Sequence, residues 1–356
     1  MAQIRYVRPV KPGAAQGLPA AVYAQVERDF GMLAPPIALH SPAPQTLAAC
    51  WLMLRETLLV PGLASRAAKE ATAAAVSLAN TCPYCVAVHA AVLGGVAHGP
   101  GAAAIAGDRI ESVADPSLRD VAAWARASGG AAVSAIGGPP FPPGQFTELA
   151  GVAVTFQYLN RMVNIFLDDS PLPAGTPDGL RGGLMRLLGK IMLSVGARSP
   201  APGASLDLLP EAALPGDLSW AAGNPGIAGA FARSVATIEL AGAHAVPSPV
   251  RELVLGELAA WNGQAPGLSR AWADHAVASL APAHRRAGRL ALLTALASYQ
   301  VGEADIDKFR RDNPGDETLV ELTSWASMAA ARRVGARLGE QRPEPTSPAE
   351  PSRTRR

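Results

Sequence analysis

The residues most able to do chemistry stand in one short segment, Cys82-Pro83-Tyr84-Cys85, which His89 follows four positions later. Two thiols separated by two residues can close a disulfide within one helical turn, so a sulfenic acid on one sulfur is resolved by the other. The spacing also puts both thiols and the imidazole along one face of a helix. We therefore predict a redox-active dithiol with a histidine that can accept or return a proton.

A carboxylate, Glu70, precedes Cys82 by twelve residues on the preceding predicted helix. If the two helices pack antiparallel at ~1.5 Å rise per residue, Glu70 lies ~15 Å and His89 ~10 Å from the turn between them, so they can face each other. Burial on an Ala-rich face would raise the pKa of this carboxyl, as a general base near neutral pH requires. Glu70 would reach a thiol through His89 or a water.

The position of the thiols along their helix predicts which one is more acidic. Pro83, next to Thr81 and Cys82, marks the first turn. Unsatisfied N–H groups and the helix dipole lower the pKa of thiols near that end. Cys82 lies nearer the end than Cys85, and this argument makes Cys82 the more acidic thiol.

Two other kinds of site also use a pair of cysteines at this spacing. Zinc takes four ligands, and Cys50 or His98 would have to complete the set because the chain has no second CxxC or histidine pair. A c-type haem needs a histidine directly after the second cysteine, where Val86 stands. We predict a catalytic dithiol with no bound metal or cofactor, and a zinc clip or a redox-sensitive staple in a non-enzymatic helical scaffold is the alternative.

Composition indicates what kind of fold positions these residues. The chain of 356 residues is 49% hydrophobic but only 5% aromatic, so Ala, Leu and Val must build its core, and Ala-rich faces favour closely packed helices. We expect an all-α protein. With 31 basic against 29 acidic residues, no overall field would attract nucleic acid or an anionic membrane.

No leader or membrane span is visible in the sequence. The N-terminal residues have no apolar stretch behind their charges. The apolar run from Leu47 to Val60 contains Arg55 and Glu56 and is shorter than the ~20 residues of a bilayer span. These patterns predict a cytoplasmic protein, in which a CxxC is more often catalytic or metal-binding than structural.

Turn residues and apolar periodicity divide the chain into helices. The predicted helices are 20–32, 44–59, 66–78 with Ser65 as N-cap, 83–95, 116–128, 146–167, a linking helix 179–195, 228–245, 250–261 and a last helix that runs through Val334.

The order of features repeats in the second half of the chain. Glu252 and the segment from Asn262 to Gly267 align with Glu70 and with Asn80 to Cys85 at a constant offset of about 182, but without the cysteines. We interpret this as a tandem duplication whose second copy is degenerate. The predicted organisation is an N-terminal arm 1–18, a catalytic repeat 19–170, a linker with a connecting helix 171–216, a degenerate repeat 217–339 and a disordered tail 340–356.

The string Glu70-x11-Cys82-Pro-Tyr-Cys85-x3-His89, set in Ala-rich helical sequence, resembles the alkylhydroperoxidase D-like branch of the carboxymuconolactone decarboxylase family. The resemblance implies a tandem alkylhydroperoxidase D-like helical bundle that forms a homo-oligomer. It implies reduction of a hydroperoxide substrate with electrons from an external, lipoamide-like dithiol.

The resemblance also implies roles for the four site residues. Cys85 would be the thiol that attacks the peroxide, and Cys82 would be its resolving partner. Glu70 and His89 would form the proton relay. This order of the thiols is opposite to the one that helix position favours. Tyr84 stands where antioxidant members have a histidine. Decarboxylases of the family generally lack the CxxC, so the pair argues against lactone decarboxylation, which is kept as a weaker alternative.

Overall fold

The structure, a computed structural model, describes residues 3–97, 99–130, 138–173, 175–196 and 199–342. Within these ranges the protein is all-α, as predicted, and one antiparallel bridge between Ile4 and Leu167 is its sole β-type pairing. The α-helices are α1 (Gly17–Phe30), α2 (Pro35–Ala38), α3 (Pro44–Leu54), α4 (Arg66–Ala79), α5 (Pro83–Val96), α6 (Gly101–Ala106), α7 (Pro116–Ala127), α8 (Phe146–Phe166), α9 (Asp178–Gly196), α10 (Pro225–Ala245), α11 (Ser248–Ala260), α12 (Ala271–Ala276), α13 (Arg285–Ala297), α14 (Glu303–Arg310) and α15 (Asp316–Gly339).

Short segments of other helix types connect these elements. A π-helix, Arg55–Leu59, continues α3. The 3-10 helices are Pro12–Ala14, Ile110–Ser112, Pro143–Gln145, Leu206–Leu208, Gly216–Gly223, Val277–Ser279, Pro282–His284 and Ser298–Gln300. In the described part of the chain, none of the helices combines the length and the apolar character that crossing a membrane requires.

The helices predicted from turn residues are present, and their ends differ by a few residues. Ser65 is the N-cap of α4, since its hydroxyl accepts a hydrogen bond from the Ala68 N–H at 3.1 Å. The sequence patterns missed α2, α6, α12, α13 and α14. The tandem duplication and its domain boundaries stay predictions, and residues 343–356 of the predicted tail lie outside the described residues.

Helix α8 lies at the centre of the fold. Every residue of α8 except Asn164 is buried, and the helix packs against both α4 and α15. A helix that is covered on all sides needs no polar face, and the polar side chains that α8 does carry, such as Glu148, Asn160 and Arg161, are buried and hydrogen-bonded. Because α15 comes from the second half of the chain, both halves share one core.

Helices α4 and α5 form the hairpin that carries the CxxC segment. The turn between them passes through Thr81, which adopts a left-handed conformation with φ 52° that is uncommon for a β-branched residue. Hydrogen bonds on either side hold it: the Cys82 N–H donates to the Ser77 carbonyl at 2.9 Å, and Asn164 Nδ2 donates to the Asn80 carbonyl at 3.0 Å. The start of α5 is therefore tied both to α4 and to α8.

Helix α9, which the sequence indicated as part of a linker, packs along α5. A Cβ atom at Gly189 would lie 2.5 Å from the Ala91 carbonyl oxygen, so the two backbones approach too closely there for any larger residue. The connecting segment thus covers the helix that bears the thiols.

His40 is a fully buried histidine that the sequence did not single out. Its Nδ1 lies 3.3 Å from the Ile37 carbonyl oxygen, and its ring stacks on Tyr158 with a centroid distance of 5.7 Å. Burial lowers the pKa of His40 to about 4, against weaker opposing hydrogen bonds from backbone carbonyls. The neutral imidazole is therefore part of the folded core at neutral pH.

We expect the protein to lose about 3 kcal/mol of unfolding free energy at His40 as the pH falls from about 6.5 to about 4. Over that range the unfolded chain binds a proton at this imidazole and the folded chain does not. Urea unfolding at about pH 7, 5.5 and 4 should give a flatter pH dependence for His40→Gln than for the native protein. The exposed His275→Gln is the matched control, and equal slopes for all three proteins would contradict the expectation.

Candidate active site

Cys82 and Cys85 lie at the N-terminal end of α5. Cys82 is the N-cap residue, and Cys85 follows in the first turn after Pro83. Both are free thiols and both are buried, with 1% and 3% of their surface exposed. The predicted position of the pair at a helix start is confirmed.

The acidity predicted for Cys82 is wrong. Burial raises its pKa well above the ordinary value of a thiol, and the neighbouring Cys85 thiol raises it further. A hydrogen bond from the Asn160 side chain opposes these effects but is weaker. At a nearly solvent-free position, loss of hydration outweighs the favourable field of the helix end.

Glu70 and His89 face each other across the α4–α5 hairpin, as their spacing predicted. Glu70 Oε2 lies 2.7 Å from His89 Nδ1, and its other oxygen, Oε1, accepts a hydrogen bond from Arg66 Nε at 2.7 Å. Arg66 stands one turn before Glu70 on the same helix, the spacing at which side chains form ion pairs. Glu70 is completely buried, and both of its oxygens have partners.

The expected rise in the pKa of Glu70 is also wrong. Burial does raise it, but the charges of Arg66 and His89 and their hydrogen bonds outweigh burial, so the pKa lies below its ordinary value. Glu70 is therefore a carboxylate at neutral pH. It accepts the Nδ1 proton of His89, which leaves Nε2 as the nitrogen that can exchange a proton with another group.

The ring of His89 is held in place from a second direction. It packs against Phe156 of α8 in an edge-to-face arrangement, with centroids 4.5 Å apart. The carboxylate fixes one end of the imidazole and the aromatic ring supports its face. The orientation of Nε2 is thus set by α4 and α8 together.

Cys85 and His89 both line a cavity of about 260 Å³. Its remaining walls are mainly apolar and come from α1, α2, α8 and α9, with Phe30, Ile37, Leu159, Leu188 and Met192 among the contacting side chains. Tyr84 also lines it, whereas Cys82 and Glu70 do not. One thiol and one imidazole therefore meet an apolar space that accommodates a small molecule, and the second thiol does not line it.

Sequence reasoning missed two residues that act on this site. Arg66 could have been found from its spacing to Glu70, because an arginine four residues before a glutamate on a helix is a recognisable pair. Asn160 gave no such signal, since it lies on α8 and reaches the hairpin only through folding. Asn160 Oδ1 accepts a hydrogen bond from Asn80 Nδ2, and Asn160 Nδ2 donates to Ser77 Oγ, each at 3.0 Å.

The zinc alternative required further ligands near the two thiols. Among the described residues, no three His, Cys, Asp or Glu side chains form a group that could hold a metal ion. Cys50 is buried within α3, and His98 lies outside the described residues. The absence of a bound metal or cofactor stays a prediction.

Comparison with known proteins gives one close match along the sequence. An alkyl hydroperoxide reductase of Mycobacterium tuberculosis is 38% identical over 339 residues, which cover 94% of this chain and 95% of the relative. No family model matches the chain. The crystal structure of an alkylhydroperoxidase AhpD core, an uncharacterized peroxidase-related protein from Ralstonia eutropha JMP134, is 20% identical and covers 52% of this chain and 98% of its own, with a TM-score of 0.38.

The structural similarity supports no conclusion about this chain, whereas the sequence similarity shows its family. Identity of 38% along nearly the whole of both chains requires common descent, and the segment from Glu70 to His89 carries the residues of the motif on which the resemblance was based. The chain therefore belongs to the alkylhydroperoxidase D-like branch of the carboxymuconolactone decarboxylase family.

Proposed function

We propose that this protein is a thiol-dependent peroxidase that reduces hydroperoxides with the Cys82–Cys85 dithiol and is regenerated by an external dithiol. One observation carries the proposal: Cys85 and His89 line the same apolar cavity, and His89 is hydrogen-bonded to the buried carboxylate of Glu70. The named activity of the relative, an alkyl hydroperoxide reductase, agrees with this chemistry.

In the first step the sulfur of Cys85 attacks the hydroperoxide. Cys85 has this role because it lines the cavity and Cys82 does not. Nε2 of His89 takes the thiol proton and passes it to the leaving alkoxide, so an S–O bond forms, the O–O bond breaks and an alcohol departs. The product on the protein is a sulfenic acid. Glu70 stays ionised throughout and stabilises the imidazolium that forms in between.

In the second step Cys82 resolves the sulfenic acid. Its sulfur attacks that of Cys85, the S–S bond forms, the S–O bond breaks, and water leaves with the Cys82 proton.

Two thiols of a reductant then reopen the disulfide by exchange and leave as a disulfide themselves. A lipoamide-like dithiol is the proposed donor, on the resemblance of the motif. The homo-oligomeric state is a proposal with the same basis, and the cytoplasmic location stays a prediction from the sequence patterns.

A thiol titration before and after one equivalent of an organic hydroperoxide tests the function. Cys50→Ala removes the background thiol, which is buried in α3 away from the cavity lining. We expect two thiols to disappear, a dithiol reagent to restore them, and one hydroperoxide to be consumed in each cycle. Thiols that stay unchanged with peroxide would contradict the proposal, and so would oxidation that changes only the melting temperature, as a structural staple would.

A further inference from the structure

A second cavity, of about 250 Å³, lies beside the turn that precedes Cys82. It is lined by Asn80 and Thr81 of that turn, by the end of α7, by α8 and by the loop that follows α11. It shares no lining residue with the Cys85 cavity, and no step of the proposed peroxidase uses it.

The charged side chains that line this cavity are all basic. Two arginines, Arg126 and Arg161, line it, and no aspartate or glutamate does. Arg126 forms an ion pair with Asp108 at 3.1 Å. Arg161 is 5% exposed and has no acidic partner among the described residues. Arg161 is therefore an unbalanced cation in the wall of this cavity. A buried charge without a counter-charge is costly, and an anionic ligand would reduce that cost.

The hydrogen bonds of Arg161 leave one end of its guanidinium group available. Nε donates to the Ala295 carbonyl at 2.9 Å, and Nη1 donates to the carbonyl and to Oε1 of Gln157. Within the described part of the chain, Nη2 has no acceptor. Burial lowers the pKa of Arg161 to about 10, so the group is still a cation at neutral pH.

Gln157 supplies a second free donor next to the first. Its Nε2 is buried and has no hydrogen-bond partner among the described residues. The amide orientation is set, because Oε1 accepts from Arg161 Nη1 at 2.8 Å. Gln157 and Arg161 are one turn apart on α8, so their free N–H groups belong to the same face of one helix.

Trp261 gives the cavity an aromatic wall. Its ring centre lies 6.0 Å from the guanidinium carbon of Arg161 and 5.3 Å from that of Arg337, which does not line the cavity. A flat or apolar part of a ligand can pack against such a ring while its charged end meets the donors.

We propose that this cavity binds a small organic carboxylate, which accepts hydrogen bonds from Arg161 Nη2 and Gln157 Nε2 and places its flat part against Trp261. One unpaired cation and one amide donor match a single negative charge with two acceptor oxygens. A phosphate carries more charge than one guanidinium group balances. The inference does not depend on the thiol chemistry, and binding is measured without turnover.

Titration with benzoate, followed by calorimetry and by the fluorescence of tryptophan, tests the site. We expect saturable binding of one benzoate per chain and a benzoate-dependent rise in Tm. The neutral isostere benzamide should not bind, and inorganic phosphate should bind more weakly than benzoate. Absence of saturable benzoate binding, equal binding of benzamide, or a preference for phosphate would each overturn the proposal.

Variants locate the binding on Arg161. We expect Arg161→Gln to weaken benzoate binding about 10-fold or more, while Arg337→Gln, which removes the other guanidinium group on the same tryptophan ring, should bind as the native protein does. Gln157→Met keeps the guanidinium group and removes the amide, and we expect about 3-fold weaker binding or more. Gln157→Met tests the proposed site even if Arg161→Gln fails to fold. An unchanged benzoate affinity of Gln157→Met would overturn the proposed binding site.

Discussion

Replacement of Cys85 with Ser should abolish hydroperoxide reduction, with a loss of about 1,000-fold or more in the rate. The hydroxyl group keeps the size of the side chain but is not a nucleophile toward peroxide at neutral pH. Because Cys85 is the thiol that lines the cavity, and neither Cys82 nor Cys50 does, no other thiol can take its place. Stopped-flow measurement of peroxide consumption in the absence of reductant gives the rate of this first step directly.

Replacement of Cys82 with Ser should have a different result, one turnover per chain followed by arrest. Cys85 would still react and form a sulfenic acid, which has no resolving thiol and can be trapped by a sulfenic-acid reagent and detected by mass spectrometry. Cys50→Ser is the control, and it should keep full turnover. If instead Cys85→Ser showed the single turnover and Cys82→Ser were inert, the order of the thiols would be reversed, as the argument from helix position predicted.

Replacement of His89 with Gln should lower the rate of the peroxide step by about 100-fold to 10,000-fold, the usual contribution of a positioned acid–base group. His89 lines the cavity beside Cys85 and has one nitrogen free to exchange a proton, because its Nδ1 is bound to Glu70 at 2.7 Å. Glutamine can hydrogen-bond but cannot carry the proton from the thiol to the alkoxide. Single-turnover rates over a range of pH measure the effect.

Glu70 acts through His89, so its replacement tests whether the two residues form a relay. We expect Glu70→Gln to lower the rate by less than His89→Gln does and to shift the pH profile, because a neutral amide no longer favours the protonated imidazole. Glu148→Gln is a matched control: Glu148 is also a buried carboxylate, paired with Lys69 at 3.0 Å, but it does not line the cavity. Equal effects of both substitutions on the pH profile would contradict the relay.

Several features of the site follow from local spacing. Cys82, Cys85 and His89 belong to one helix, and residues within a helix have a fixed relation to one another. Glu70 meets His89 because a short turn makes α4 and α5 antiparallel, so counting residues back from that turn predicts the contact. Ser65 as an N-cap is equally local, since its hydroxyl serves an N–H group three residues away.

The roles of the thiols and the state of the carboxylate depend on the tertiary structure. Helix position predicted an acidic Cys82, and burial reversed this. An Ala-rich face predicted a raised pKa for Glu70, and the ion pair with Arg66 reversed that as well. Loss of hydration depends on everything packed around a group, and a pattern along one helix does not contain that information.

The sequence alone determined the all-α class, the helix that carries the dithiol and the pairing of Glu70 with His89. Only the tertiary structure decided that Cys85 and not Cys82 meets the cavity, and that Asn160 of α8 reaches the hairpin. The first set depends on residues a few positions apart, whose geometry the regular helix dictates. The second depends on contacts between segments distant in the chain, which form only when the helices pack into one core.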